Sequence, residues 1–157
     1  MSTMEKTNVM RILDGKKLPY TPYHFECGEA VSGVEAARLM GIAEERVYKT
    51  LVTVGKSKRY YVFVIPVAAE LDLRKAARAV GEKAVEMIKA KELLPLTGYV
   101  HGGCSPIGMK KLFPTTVDAS VRALERLVFS AGRIGYQVEM TLETLQKVVP
   151  AQVAELI

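Results

Sequence analysis

The sequence has few of the residues that build disulfide-linked or metal-centred proteins. It contains no tryptophan, two histidines and two cysteines. Cys27 and Cys104 lie far apart in the chain and form no CxxC pair. This pattern argues against a disulfide framework and against a Cys/His zinc site, and free thiols fit a reducing compartment. We therefore expect no structural or catalytic metal.

Long apolar segments are also missing. No run approaches the roughly 20 residues that span a bilayer, and the opening MSTMEKTNVMRIL lacks the apolar core of a secretory signal. Half of the 157 residues are hydrophobic (49%) and 25% are charged, which is sufficient for a packed core. We expect one domain over 1–157, located in the cytoplasm and without a membrane contact.

The charge balance is mildly basic. Lys and Arg number 22 against 17 Asp and Glu, which gives a net charge of +5. A cationic surface favours polyanions such as RNA, although no block of like charges forms a basic tail. Lys110 and Lys111 are candidates for contacts with an RNA backbone; the alternative is an ordinary solvated face.

Hydrophobic periodicity and turn residues alternate along the chain and predict a mixed fold. Pro22 makes the first strand an edge strand. Interspersed helices and hairpin-linked strands favour an α+β fold, with a mixed, mostly antiparallel, barrel-like sheet and flanking helices, over a doubly wound parallel sheet. We predict helices at 7–14, 32–41, 72–80, 90–94 and 142–148, and strands at 19–25, 47–54, 60–67, 85–87, 115–118, 127–130 and 136–140.

Capping residues fix several of the predicted helix ends. Ser32 and Glu35 have the spacing of a capping box, and Gly41 can end that helix in a left-handed conformation. We expect Leu39 to lie on its apolar face with Ala36, Ala37 and Met40. Asp72 and Thr141 are the candidate N-caps of two later helices.

Lys49 is an unusual residue for its position. It stands within Val47–Val54, a run that otherwise has the composition of a buried strand. Partial burial would strengthen the field of its ammonium group on a nearby anion or carbonyl. The alternative is a lysine on the solvent face of an edge strand.

The segment 98–108 has four glycines in eleven residues, with Ser105 and Pro106 between them. Successive N–H groups in such a loop can hold a phosphate, a carboxylate or an oxyanion; the alternative is a tight structural turn. The loop has neither the Walker A nor the GxGxxG pattern. His101 and Cys104 could form a Cys–His pair, but a thiol in a tight glycine turn is more often simply a small residue.

A third candidate is the turn 130–135 between two predicted strands. Ser130 could donate a hydrogen bond to a ligand, and Arg133 could contact a phosphate. The alternative is an ordinary hairpin turn.

Together these segments resemble the YbaK family of Cys-tRNA(Pro) deacylases, in the superfamily of the prolyl-tRNA synthetase editing domain. The resemblance covers nearly the whole chain. It is carried by the Lys-Thr-Leu strand 49–51, by the Gly-Gly-x-Ser-Pro-x-Gly loop 102–108, by the Lys pair 110–111 and by Ser-Ala-Gly 130–132. The strand and the loop at this separation are a more specific signal than either one alone.

The resemblance implies hydrolysis of a mischarged aminoacyl-tRNA, held by its acceptor end, without a cofactor. It also implies prolyl-tRNA synthetase as a partner and attack by the substrate's own thiol on its carbonyl. It assigns catalytic roles to Lys49, Gly103 and Ser130. The residues placed in contact with substrate are Phe25, Thr50, His101, Gly102, Cys104, Ser105, Pro106, Gly132 and Arg133.

The sequence departs from the family pattern at several of these positions. Phe25 replaces a common Tyr, His101 and Cys104 replace apolar residues, and Gln137 replaces a common acidic residue. Arg133-Ile134 also stands where Lys-Arg is common. These changes leave three alternatives open: clearance of Ala- or Ser-charged tRNA, a non-catalytic module that binds the tRNA 3′ end, and a hydrolase that uses the Cys104 thiol.

Overall fold

The computed structural model describes residues 5–157. Local capping sets its helix ends. Ser32, Asp72 and Thr141 each accept a hydrogen bond from a first-turn N–H, and Gly41 and Gly81 end their helices at positive φ. These predicted caps are confirmed. The helices are α1 (Asn8–Gly15), α2 (Gly33–Met40), α3 (Leu73–Val80), α4 (Ala90–Thr97) and α5 (Leu142–Gln146), with 3-10 turns at Glu44–Arg46 and Ala119–Ala123.

Eight strands form two sheets. They are β1 (Thr21–His24), β2 (Tyr48–Gly55), β3 (Tyr60–Pro66), β4 (Val85–Met87), β5 (Thr115–Asp118), β6 (Leu127–Ser130), β7 (Tyr136–Met140) and β8 (Ala151–Ala154). One sheet has the order β4-β2-β3-β5-β8 and the other β1-β7-β6. β3–β5 and β5–β8 pair in parallel, and the other four pairings are antiparallel. The mixed, mostly antiparallel α+β fold is confirmed.

The two sheets meet without closing into a barrel. Within residues 5–157, a single isolated parallel bridge joins Val47, the residue before β2 of the larger sheet, to Val128 of β6 in the smaller one. β1 forms the predicted edge strand, because it pairs only with β7. The junction at Val47 brings the start of β2 next to the end of β6, and this sets the position of the candidate site.

The core lies on both faces of β3. Val62 and Val64 point into the main cluster between the sheets, and Phe63 and Ile65 point into a second cluster beneath α3. This explains the continuous apolar composition of the strand. Burial of each such side chain contributes about 1.5–3 kcal/mol. Within residues 5–157, no helix is long and apolar enough to cross a membrane.

Three sequence expectations differ from the structure. Leu39 is 39% exposed because α2 packs through its alanines. The Glu35 carboxylate pairs with Arg38 and does not reach back to the N-cap amide. β8 was not predicted, because its short segment becomes a strand only through parallel pairing with β5.

Candidate active site

A cavity of about 180 Å³ lies where the two sheets meet. β4 pairs with β2 only over Thr53–Gly55, and β6 bridges to it only at Val47. Within the described chain, residues 48–51 therefore have one strand edge without a partner, and this edge borders the cavity. The ends of β6 and β7, the first turn of α2 and the glycine-rich loop form other walls. Seven of the predicted site residues line it: Phe25, Lys49, Thr50, His101, Gly102, Cys104 and Ser130.

Lys49 supplies the permanent charge of this cavity. Its side chain is half-buried and makes no ion pair with a carboxylate among residues 5–157. The residues lining the cavity, all within the described chain, include no Asp, Glu or Arg. A cation partly removed from water and left without a counter-ion acts more strongly on a carbonyl oxygen than one in bulk solvent. Both interpretations of the sequence hold in part, because Lys49 is half-buried and also lies at a free strand edge.

The glycine-rich loop approaches its neighbours too closely for side chains. Gly102 has φ +87°, and a Cβ built on it would lie 2.7 Å from the Ala30 Cβ. A Cβ on Gly103 would lie 3.2 Å from the Ile134 nitrogen. The loop is therefore fixed between the segment before α2 and the turn after β6. The Gly103 N–H donates to the Val100 carbonyl, whereas the Gly102 and Cys104 amides have no acceptor within residues 5–157.

The Cys104 thiol borders the cavity but is poorly suited to nucleophilic attack. Its side chain is buried, and burial raises the pKa of the thiol to about 12. The nucleophilic form of cysteine is the thiolate, which is scarce at neutral pH for such a group. His101 also lines the cavity, yet no hydrogen bond joins the two side chains in the described part of the protein. The geometry therefore does not favour a Cys–His pair.

Ser130 ends β6 with its hydroxyl at the cavity wall. The Ser130 Oγ accepts a hydrogen bond of 3.1 Å from the Gly132 N–H. That bond holds the turn and orients the side chain, while the hydroxyl hydrogen is available to donate to a ligand. The adjacent strand places Gln137 directly opposite Ser130 in the antiparallel register.

Two buried acceptors at the cavity are unpaired. The Thr50 Oγ1 and the Gln137 Oε1 have no hydrogen-bond partner among residues 5–157, and both residues line the cavity. Gln137 is 8% exposed. Sequence reasoning noted Gln137 only as a departure from a family pattern and did not place it in the site. The strand Tyr136–Met140 alternates apolar and polar residues in the sequence, which gives no signal that Gln137 is buried.

Five predicted site residues do not line the cavity: Gly103, Ser105, Pro106, Gly132 and Arg133. Ser105 is fully buried, and its Oγ accepts from the Ile107 N–H. Pro106 borders a different pocket. Gly132 and Arg133 border a neighbouring cleft, where Arg133 pairs with Glu5 and lies over the Tyr136 ring. Their roles in substrate binding stay predictions.

Ligands for a metal ion do not converge in the described chain. Among residues 5–157, no group of three or more His, Cys, Asp and Glu side chains could hold an ion.

The first turn of α2, including Ser32 and Gly33, borders the cavity. The N-terminal end of a helix carries partial positive charge. This partial charge adds to the positive electrostatic potential that Lys49 creates in the cavity.

Known proteins similar to this chain share its fold and most of its length. A protein of Enterococcus faecalis, provisionally named Cys-tRNA(Pro)/Cys-tRNA(Cys) deacylase EbsC, is 44% identical over 155 residues, covering 98% of this chain and 94% of that protein. The uncharacterized YwhH of Bacillus subtilis is 26% identical over 113 residues, covering 72% of this chain and 71% of that protein. A crystal structure provisionally described as a trans-editing enzyme for prolyl-tRNA synthetase has a TM-score of 0.83 and 25% identity, and covers 98% of both chains.

The family assignment comes from the central part of the sequence. The model of the aminoacyl-tRNA editing domain family matches residues 28–148. This range includes β2, the glycine-rich loop and the turn after β6, which are the segments that carried the resemblance in the sequence. It also includes most of the residues that line the cavity. The chain belongs to the aminoacyl-tRNA editing domain family.

Proposed function

We propose that this protein is an aminoacyl-tRNA deacylase that acts in trans on mischarged tRNA, with Cys-tRNA(Pro) as its substrate. The observation that carries the proposal is one cavity lined by Lys49, by Gly102 of the glycine-rich loop and by Ser130. The names of the relatives described above support the same reaction.

The chemistry needed is modest because an aminoacyl ester is already reactive. Lys49 polarises the ester carbonyl or positions the terminal ribose, and the unpaired amides of the glycine-rich loop stabilise the developing oxyanion. Ser130 donates a hydrogen bond that orients the aminoacyl group. Positioning of this kind, in a site with a preformed electrostatic field, can supply much of the rate acceleration.

The nucleophile belongs to the substrate in this proposal. The cysteinyl sulfur attacks its own carbonyl carbon, a carbon–sulfur bond forms, and the carbon–oxygen bond to the ribose breaks. The ribose oxygen takes up a proton as it leaves, and water then opens the thiolactone to give free cysteine. A buried, protonated Cys104 is consistent with this division of roles.

The wider setting also belongs to the proposal. Residues 1–157 act as one editing domain in the cytoplasm. This domain binds the acceptor end of the tRNA. Its exposed Lys110 and Lys111 are available to phosphates. Prolyl-tRNA synthetase is the proposed partner that supplies tRNA selectivity.

A deacylation panel tests the proposal. Wild-type protein is assayed with Cys-, Ala-, Ser- and Pro-charged tRNA(Pro), beside Lys49→Ala and the matched control Lys56→Ala. Lys56 is exposed and lies in the β2–β3 turn, at the far end of the strand. We expect Cys-tRNA(Pro) to be cleared fastest and Lys49→Ala to lose at least about a hundredfold in kcat/KM, a loss typical of removing a key electrostatic group.

The control variant and the folding of both variants, followed by circular dichroism, should match wild type. Hydrolysis of none of the four substrates above background would overturn the proposal. Retained binding without turnover would favour the module that only binds the tRNA 3′ end. Faster clearance of Ala- or Ser-charged tRNA would keep the reaction and change the substrate.

A further inference from the structure

Two residues that line the cavity each carry an unpaired polar atom. The Gln137 Oε1 and the Thr50 Oγ1 are buried without a hydrogen-bond partner in residues 5–157. An unpaired buried acceptor costs about 1–3 kcal/mol, so a ligand or an ordered water normally satisfies such a group. Gln137 is held in place by both neighbours of β7, since it lies opposite Ser130 on β6 and Tyr23 on β1.

The charged groups around Gln137 make the cavity unfavourable to a cation in addition to Lys49. Lys49 and the first turn of α2 make the cavity positive, and His101 also lines it. The nearby carboxylates are paired with other residues or lie outside the cavity. Glu139, two residues along β7, pairs with Arg46 and accepts a hydrogen bond from the Tyr23 hydroxyl. Glu35 on α2 pairs with Arg38. Three others do not line the cavity: Glu26 and Glu29 in the loop before α2, and Glu92 on α4.

We propose that the Gln137 amide oxygen binds the α-amino group of the aminoacyl moiety in its uncharged form. This inference rests on the proposed deacylase function and adds the group that the site recognises. An uncharged amine donates an N–H to the Gln137 Oε1 and satisfies it. An α-ammonium would bring a second positive charge into a cavity that Lys49 lines and that no carboxylate within residues 5–157 lines.

The pH dependence of the reaction follows from this arrangement. A free α-amino group has a pKa of about 7.7–8.0, so the uncharged fraction rises about tenfold per pH unit below that range. The ionisation of the substrate thiol also changes the rate with pH. An α-ammonium lowers the pKa of the neighbouring thiol, so each kcat/KM is divided by the measured thiolate fraction of its own substrate. The ratio of these corrected values for cysteinyl-tRNA(Pro) and its des-amino analogue, mercaptopropionyl-tRNA(Pro), isolates the amine.

The experiment measures this ratio between about pH 6 and pH 9 for wild type, Gln137→Met and Gln137→Glu. We expect the wild-type ratio to rise about tenfold per pH unit and to level off above the amine pKa. Gln137→Met removes the acceptor at similar volume, so it should lower kcat/KM about tenfold for the cysteinyl substrate and leave the des-amino substrate unchanged. Gln137→Glu supplies a counter-ion for the ammonium, which should flatten the rise.

Two further comparisons make the test decisive. His101→Ala should keep the wild-type slope, because the slope comes from the substrate amine and not from the imidazole. A flat wild-type ratio, or equal losses on both substrates in Gln137→Met, would overturn the inference while leaving the deacylase proposal intact. If wild type hydrolyses neither substrate, the proposed function itself fails. If Gln137→Glu does not fold, the wild-type slope and the Gln137→Met comparison still decide the question.

Discussion

At the scale of single residues, burial gives Lys49 and Cys104, two of the ionisable groups that line the cavity, opposite roles. Lys49 reaches the cavity from an open strand edge and lacks a carboxylate partner within residues 5–157. Cys104 lies deeper, next to the buried Tyr99 ring, and its thiol stays protonated because desolvation disfavours the charged form. The cavity therefore offers an electrostatic group, whereas its buried thiol is poorly suited to nucleophilic attack.

Replacement of Cys104 by Ala tests whether the thiol takes part in the reaction. With a thiol pKa of about 12, only about one molecule in 10⁵ carries the thiolate at neutral pH. We expect Cys104→Ala to keep kcat/KM for Cys-tRNA(Pro) within about threefold of wild type, since it removes a small packing group and no charge. A loss as large as that of Lys49→Ala would instead support a hydrolase that uses the protein's thiol. Thermal unfolding of the variant separates such a loss from a folding defect.

At the scale of structural elements, the cavity depends on glycines whose neighbours leave no room for a side chain. Gly102 combines a positive φ with the close approach of Ala30, whereas Gly81 has a positive φ of 73° and no atom within 4 Å of an added Cβ. A substitution at Gly81 therefore reports the free-energy cost of a left-handed backbone alone. The same substitution at Gly102 adds the cost of a steric clash.

We expect Gly81→Ala to lower the free energy of unfolding by about 1 kcal/mol, the cost of a left-handed alanine, and to leave deacylation unchanged. Gly102→Ala should lose more stability and at least about tenfold in kcat/KM, because the loop must move away from Ala30 and carry its amides out of position. Urea unfolding and single-turnover assays measure the two effects. Equal stability losses with normal activity in both variants would mean that the loop's close packing is not needed for the reaction.

Elements whose signals are local could be predicted from the sequence, and elements set by distant contacts could not. The caps at Ser32 and Asp72 depend on residues two or three positions away, so their helix starts were predicted correctly. β8 depends on pairing with β5, more than thirty residues earlier in the chain. Periodicity places Leu39 on the apolar face of its helix. It does not show that the helix packs through Ala36 and Ala37, which leaves Leu39 partly exposed.

The same distinction applies to the site. Lys49, Gly102 and Ser130 stand in conspicuous local patterns, and the fold brings all three to one cavity. Gln137 has no local pattern of its own, because its importance comes from the missing partner of its amide oxygen. Arg133 had a suitable charge in a suitable turn, but its pairing with Glu5 directs it to the neighbouring cleft. A sequence pattern cannot supply the side-chain direction that decides these two cases.

At the scale of the whole molecule, the site is a consequence of two sheets that meet without merging. A closed barrel would have paired the free edge of β2 at 48–51 and filled its interior with side chains. The bridge between Val47 and Val128 instead holds the sheets together at one point and leaves the edge beside it open. Val47 and Val128 are buried there in an apolar cluster with Ala37 of α2 and Val67, which packs the junction against α2.

The net charge of +5 favours binding of a polyanionic substrate, and the cations that meet its phosphates set the salt dependence. Each phosphate neutralised by a lysine releases counter-ions, so the logarithm of KM for charged tRNA should rise with the logarithm of salt concentration by about 0.7 per contact with single-stranded RNA. Because Lys110 and Lys111 are exposed beside the glycine-rich loop, we expect Lys110→Ala/Lys111→Ala to lower this slope by about 1.4 with little change in kcat. Steady-state kinetics over a salt series measures the slope. The control Lys56→Ala, roughly 20 Å from Lys49 along β2, should keep the wild-type slope. Equal slopes in all three proteins would place the RNA contacts on another face, because counter-ion release depends on which cations meet phosphate and not on the total charge.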